Sequence, residues 1–183
     1  QCLIQDSKGF LWIGTQDGLN KYDGYAFTRY KNEPSDTTTI SNNYIHCIYE
    51  DRDNNVWVGT NNGLNKFDAE KQIFIRYYND NSNPNSIPED VVFAIYQDKS
   101  NYIWIKTEKF LSRLNPKTNN FRHYEHYNDV FNFISVDAKF SIFEDHKNQL
   151  WVGTKDGLNY FDRKLEIFKR YKHEPENKKS ISN

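Results

Sequence analysis

Four edited copies of one short stretch constrain this 183-residue chain more than any other feature. Leu11 to Asp23 reads LWIGTQDGLNKYD, Val56 to Asp68 reads VWVGTNNGLNKFD, and Leu150 to Asp162 reads LWVGTKDGLNYFD. The fourth copy is more divergent: Ile103 to Asn115 reads IWIKTEKFLSRLN. Each holds one of the four tryptophans, Trp12, Trp57, Trp104 and Trp151, which are spaced 45, 47 and 47 residues apart. A fixed period in this range marks a repeat architecture, in which each unit covers its apolar face with its neighbour.

Aligned on tryptophan, each unit reads as four strands. Tyr44–Asp51, Val91–Asp98 and Ala138–Asp145 are rich in β-branched and aromatic residues and form the first strand, with Gln1–Asp6 its shortened form. Each run ends in an Asp six residues before its Trp (Asp6, Asp51, Asp98, Asp145), whose carboxylate is placed to cap the turn that follows. Gly9, Asn54, Asn101 and Asn148 share the slot three before Trp and are the residue types that tolerate positive φ. The second strand carries the Trp. A second turn closes on Gly18, Gly63 or Gly157 and opens the third strand, and the fourth carries the pairs Phe27/Tyr30, Phe74/Tyr77, Phe121/Tyr124 and Phe168/Tyr171. From each Tyr a polar connection of constant length reaches Ile40, Ile87, Ile134 or Ile181. The first unit is two residues shorter, and the loss falls at Asp23-Gly24, a strong tight-hairpin signal.

Four strands per unit, with no helical period, predict an all-β fold of β-propeller blades. The expected blades run over residues 1–39, 40–86, 87–133 and 134–183, as part of a larger propeller. The chain opens in mid-pattern at Gln1, and Asn183 aligns with Asn42, so it reads as a fragment cut at a blade boundary. Four blades is the low end for a closed ring, and an open arc exposes an apolar face at each end. Association, as a homodimer through those end blades, is the expectation.

Bulk properties remove several classes of function. A net charge of -1 gives no general attraction to nucleic acid or to an anionic membrane. No apolar run is long enough to span a bilayer, so no direct membrane contact is expected of this stretch. Cys2 and Cys47 each lie ten residues before a Trp, where the other units have Ala94 and Ser141. That slot takes small side chains, and the cysteines read as small packed residues, not as a disulfide.

The pattern D-x-x-[GN]-x-[LIV]-W-[IV]-G-T-x-x-G-L-x-x-[YF]-D resembles the two-component regulator propeller repeat. The likeness covers essentially the whole chain, and three of four copies match at every key position. Gly18 to Tyr30, GLNKYDGYAFTRY, is similar to the opening blade of such sensors. The resemblance implies the periplasmic sensor part of an inner-membrane hybrid histidine kinase, with an oligosaccharide or other small-molecule ligand and signalling through a dimer. A protein-interaction scaffold and, further off, a polysaccharide-acting propeller enzyme are the alternatives.

The search for chemistry begins by subtracting the repeat. Repeat slots account for 18 of the 30 aromatic residues, so only off-pattern ones such as Tyr25, Phe110, Tyr127, Phe131 and Phe133 are candidates for ligand contact. The third unit departs most, with Lys106 in place of Gly14, Gly59 and Gly153, and Phe110 in place of Gly18, Gly63 and Gly157. Its loop KTEKF joins strands two and three, on the face that carries the inter-blade connections. Lys106, Glu108, Lys109 and Phe110 are therefore the expected ligand-binding residues. Asp51-Arg52-Asp53-Asn54-Asn55 opens like a calcium loop but has Val56 for the sixth-position glycine and Asn62 for the closing glutamate. His123 and His126 are three apart on a strand and point to opposite faces, so no metal is expected there. No catalytic residue and no cofactor is expected either.

Overall fold

The computed structural model describes residues 2–125, 141–154 and 157–181. They form sixteen strands in four antiparallel sheets, each in simple up-and-down order. The first sheet comprises β1 (Cys2–Gln5), β2 (Leu11–Thr15), β3 (Gly18–Tyr22) and β4 (Phe27–Tyr30). The second comprises β5 (Ile45–Glu50), β6 (Val56–Thr60), β7 (Gly63–Asp68) and β8 (Ile73–Tyr77). The third is β9 (Ala94–Gln97), β10 (Ile103–Lys106), β11 (Phe110–Asn115) and β12 (Asn120–Glu125), and the fourth β13 (Ser141–Glu144), β14 (Leu150–Thr154), β15 (Gly157–Asp162) and β16 (Ile167–Tyr171). No helix occurs among the described residues. His126, Tyr127, Phe131, Phe133, Ile134 and the start of the Ala138–Asp145 run lie outside them.

The turns form as their residues dictate. Asp51 Oδ1 accepts from the backbone N–H of Asp53 (3.0 Å) and Asn55 (2.8 Å), and Asn54 sits at φ 62°. The same three-residue logic repeats at Asp6, Asp98 and Asp145. The other carboxylate oxygen does something the spacing did not announce. Asp51 Oδ2 accepts from the indole of Trp57 at 2.7 Å, and Asp6, Asp98 and Asp145 hold Trp12, Trp104 and Trp151 likewise. One acid therefore closes the turn and fixes the ring that fills the core.

The two-residue deletion in the first sheet removes one cross-strand pair. Its last β3–β4 pair is Tyr22 with Phe27, whereas Asp68 pairs with Ile73 and Asp162 with Ile167 in longer sheets. Gln72, Asn119 and Glu166 take positive φ just before the fourth strand, a conformation that Asn tolerates but that is costly for Gln and Glu. The third sheet's first strand also begins later than its composition predicts, at Ala94. The reason is that Val92 hands its N–H to Thr60 O of the preceding sheet and packs there beside Gly59.

Among the described residues the core is three clusters, one between each pair of successive sheets. Trp12 of the first sheet meets Phe67 of the second edge-on at 5.1 Å, and Trp104 meets Phe161 at 5.0 Å, as aromatic quadrupoles prefer. First strands lie against first strands, β1 on β5 and β5 on β9, which puts them innermost around a common axis. A second recurrent contact joins the sheets. The residue seven before each Trp (Glu50, Gln97, Glu144) accepts the backbone N–H of the residue five before the preceding Trp (Ser7, Arg52, Lys99), at 2.8, 2.8 and 2.6 Å.

Candidate functional site

The β2–β3 type turns and the connections between sheets share one end of the fold. Gly18 N donates to Asn43 O at 2.8 Å and Gly63 N to Asp90 O at 2.6 Å, so each turn is strapped to the connection that follows its sheet. Gly63 is at φ 105°, and a Cβ there would lie 2.6 Å from Tyr77 O. The third sheet has Phe110 in this slot without a positive φ, and its turn closes instead through Thr107 N to Phe110 O at 3.0 Å.

The four residues expected to bind ligand occupy this end, but in different ways. Lys106 is only 3% exposed and pairs with Ala94, where the other sheets pair Gly with the larger Cys2, Cys47 or Ser141. Gly59 shows the exchange in reverse, since a Cβ there would meet Cys47 Sγ at 2.5 Å. The Lys106 ammonium turns back to the carbonyls of Thr107 and Glu108, and burial draws its pKa down to about 8. Lys106 thus braces the loop from beneath. Glu108 and Lys109 are exposed, and Lys109 N is fixed by Glu89 Oε2 at 2.8 Å. Phe110 is half-buried, with its ring edge-on to His123 at 6.3 Å. His123 Nδ1 in turn lies 2.8 Å from Ser112 Oγ.

Beside this loop is a group that sequence reasoning missed. Phe93 donates its N–H to Lys106 O at 2.8 Å and is itself 43% exposed. The His46 ring lies 4.9 Å from that of Phe93 and 4.9 Å from that of Tyr44. His46 is the extra residue of a β-bulge, where Ile45 pairs with Thr60 and Cys47 with Gly59. A bulge re-aims a side chain, and here it turns the imidazole to donate from Nε2 to Asn61 Oδ1 at 2.6 Å. Gln16 reaches Tyr44 Oη from the first sheet at 3.4 Å. Two aromatic planes, an imidazole and two amides from three sheets therefore rim the mouth of the axis. The available signal was the slot eleven before Trp, which holds Gln1, His46, Phe93 and Phe140 in turn and so departs from an otherwise strict repeat.

Four successive four-stranded sheets with their first strands innermost define β-propeller blades. The family description "Two component regulator propeller" matches this chain four times, at residues 1–17, 39–62, 86–109 and 132–156. The chain is an array of two-component regulator propeller repeats. Over 37 residues it is 60% identical to "Histidine kinase P4" of Formosa agariphila, a match covering 20% of the chain and 3% of that protein. Among solved structures it is similar to the extracellular domain of the hybrid two component system BT3049 of B. thetaiotaomicron, with 25% identity and a TM-score of 0.66 over 91% of the chain and 29% of that domain. The extracellular domain of BT4673 from the same organism shares the fold, with a TM-score of 0.72 at 23% identity over 99% of the chain and 23% of that domain. The chain thus spans less than a third of the length of each of these relatives.

Proposed function

We propose that the chain is part of the ligand-sensing propeller of a hybrid two-component histidine kinase, held on the periplasmic side of the inner membrane, and that its ligand is an oligosaccharide bound at the mouth of the axis. The observation that carries this reading is the bulged His46, set between Tyr44 and the exposed Phe93 with an amide at its tip. Apolar sugar faces stack on aromatic rings, while hydroxyls take the hydrogen bonds of imidazole and amide groups. Glu108, Lys109 and Phe110 sit beside the cluster and extend the contact surface, with Lys106 as their support. The surrounding residues come from three blades, so a ligand bridging them favours one inter-blade geometry over another, and that differential affinity is the signal. The test is calorimetry against a panel of glycan oligosaccharides. A sugar that binds the parent should bind Phe93→Ala at least about tenfold more weakly, without being cleaved. Binding unchanged in Phe93→Ala and His46→Ala would remove the mouth as the site, and turnover of the glycan would favour an enzyme.

The two end blades carry a further proposal, that a second copy of the chain covers them. Inside the array the Trp/Tyr pairs of the first and third blades pack on the third- and fourth-strand aromatics of the next blade, and Trp57/Tyr77 on Leu114 and Phe121. The fourth blade has Trp151 and Tyr171 (48% exposed) with no blade upon them among the described residues, and the first blade offers Tyr22 and Phe27 (57% exposed). These are the two halves of one junction. The polar clasp is halved in the same way, since Gln5 donates to Gly9 O of its own turn and not to another blade among the described residues.

A further inference from the structure

The junction between blades one and two and that between blades three and four are built from the same slots, and one of them lacks part of its contents. In the latter, Arg113 pairs with Trp104 across the strands, places its guanidinium 4.4 Å from the Tyr102 ring centre and ion-pairs with Glu166 at 2.6 Å. Arg163 bridges the buried carboxylates of Asp98 and Glu144, at 2.9 Å each. In the former, Lys21 pairs with Trp12 and sets its ammonium 3.8 Å from the Phe10 ring centre. The Glu166 slot is Gln72, likewise at positive φ just before its fourth strand, and the Arg163 slot is Ala69. The two acids remain, as Asp6 and Glu50.

Three charges are consequently left without the partners their counterparts have. Among the described residues Lys21 makes no ion pair, and neither does Asp6 or Glu50. Asp6 holds the Trp12 indole and its own turn, and Glu50 holds Ser7, so both are hydrogen-bonded without the bridging guanidinium that Asp98 and Glu144 share. Where the side chain of Arg163 stands in one junction, the other has a cavity of about 240 Å3, walled by Phe10, Trp12, Phe67 and Gln72 and lined by Lys21, Asp6 and Glu50. Lys8 adds an ammonium at its rim. The middle junction lacks the full charge set, with Gln97 and Asn119 in two of the three acid slots, Asp51 in the third, and the Arg52 guanidinium on the Asp98 carbonyl. The cavity lies at the opposite end of the blades from the mouth described above, among the turns that open on Asp6, Asp51 and Asp68.

We infer that this cavity binds a small zwitterion of the amino-acid class. Its cationic group takes the place of Arg163, between Asp6 and Glu50, and its carboxylate lies at Lys21, beside the Gln72 amide that stands in the Glu166 slot. The aromatic wall covers the carbon skeleton between them. Charge-assisted bonds in a partly desolvated cleft favour a ligand that satisfies both signs at once over one that satisfies either alone.

L-Arginine is the probe, measured by calorimetry on the purified protein. One equivalent is expected to bind, and agmatine, which lacks the carboxylate, should bind about tenfold more weakly or worse. The paired change Ala69→Arg with Gln72→Glu rebuilds the occupied junction and should abolish binding of L-arginine. If that variant does not fold, Lys21→Gln serves instead and should weaken L-arginine to the level of agmatine. Phe93→Ala, at the far end, should leave arginine binding unchanged, which separates this site from the mouth. An equal response to guanidinium chloride with sodium acetate at the same ionic strength would overturn the inference. So would undiminished binding in the folded paired variant or in Lys21→Gln.

Discussion

Asp51 carries more than its place in a turn. Its carboxylate accepts two backbone N–H groups, the Asn55 amide and the Trp57 indole, all with the side chain buried. Each donor left unpaired on removal bears its own desolvation cost. Asp51→Ala should therefore destabilise the protein by roughly 3–5 kcal/mol, near the top of the range for single substitutions. Asp51→Asn should fall in between, because an amide that keeps its oxygen on the turn sets an N–H against the indole N–H. Urea titration measures both, and a loss below about 1 kcal/mol in Asp51→Ala would show that the indole bond is incidental.

At the level of the blade, the junctions share a frame and differ in what locks them. Blades one and two are joined by the Glu50 clasp and by Arg76, which donates to the Asp36 and Thr39 carbonyls of the connection, whereas blades three and four add ion pairs of Arg113, Arg122 and Arg163 with Asp98, Glu144 and Glu166. The Arg113 hydrogen bond, then its charge and that of Arg122, hold the Glu166 carboxyl below its ordinary value of 4.5. A carboxyl depressed by folding stabilises the fold fully above its unfolded pKa, and that contribution is lost as pH falls through the folded value. The stability difference between the parent and Glu166→Gln should accordingly be present at pH 7 and shrink by about pH 3.5. Denaturation midpoints of both proteins at the two pH values check this; a constant difference would mean that Glu166 acts by shape alone.

For the molecule as a whole, the decisive surfaces are its ends. Phe74 and Phe168 are 3% and 1% exposed under their neighbours, while the equivalent Phe27 lies open on the first blade. Two open faces that are halves of one junction favour head-to-tail contact, which closes into a ring or continues as a chain depending on its rotation. Sedimentation velocity should show concentration-dependent association of the parent. Phe27→Lys and Tyr171→Lys, on opposite faces, should each weaken it by about tenfold or more, equivalent to about 1.4 kcal/mol. Monomers at every concentration would leave both faces to blades of a longer chain.

What the sequence determined by itself was local or periodic. Asp, Asn and Gly within five residues specify each β1–β2 type turn, because a capping carboxylate and a positive φ act on adjacent backbone. The Trp-to-Trp period then set the blade count and the fold class. The KTEKF loop was also legible as an exception, since Lys106 and Phe110 break a glycine pattern. Its geometry was not, for a lysine's direction depends on whether Ala94 or a cysteine stands across from it. Tertiary structure decided the rest. The Glu50–Ser7 clasp spans 43 residues, and the mouth joins Gln16, Tyr44, His46, Asn61 and Phe93 from three blades. The difference between Ala69/Gln72 and Arg163/Glu166 looks like drift until the facing blades show which charges those side chains leave unpaired. Short-range chemistry writes each blade into the sequence, whereas a site between blades exists only once packing has chosen which residues face one another.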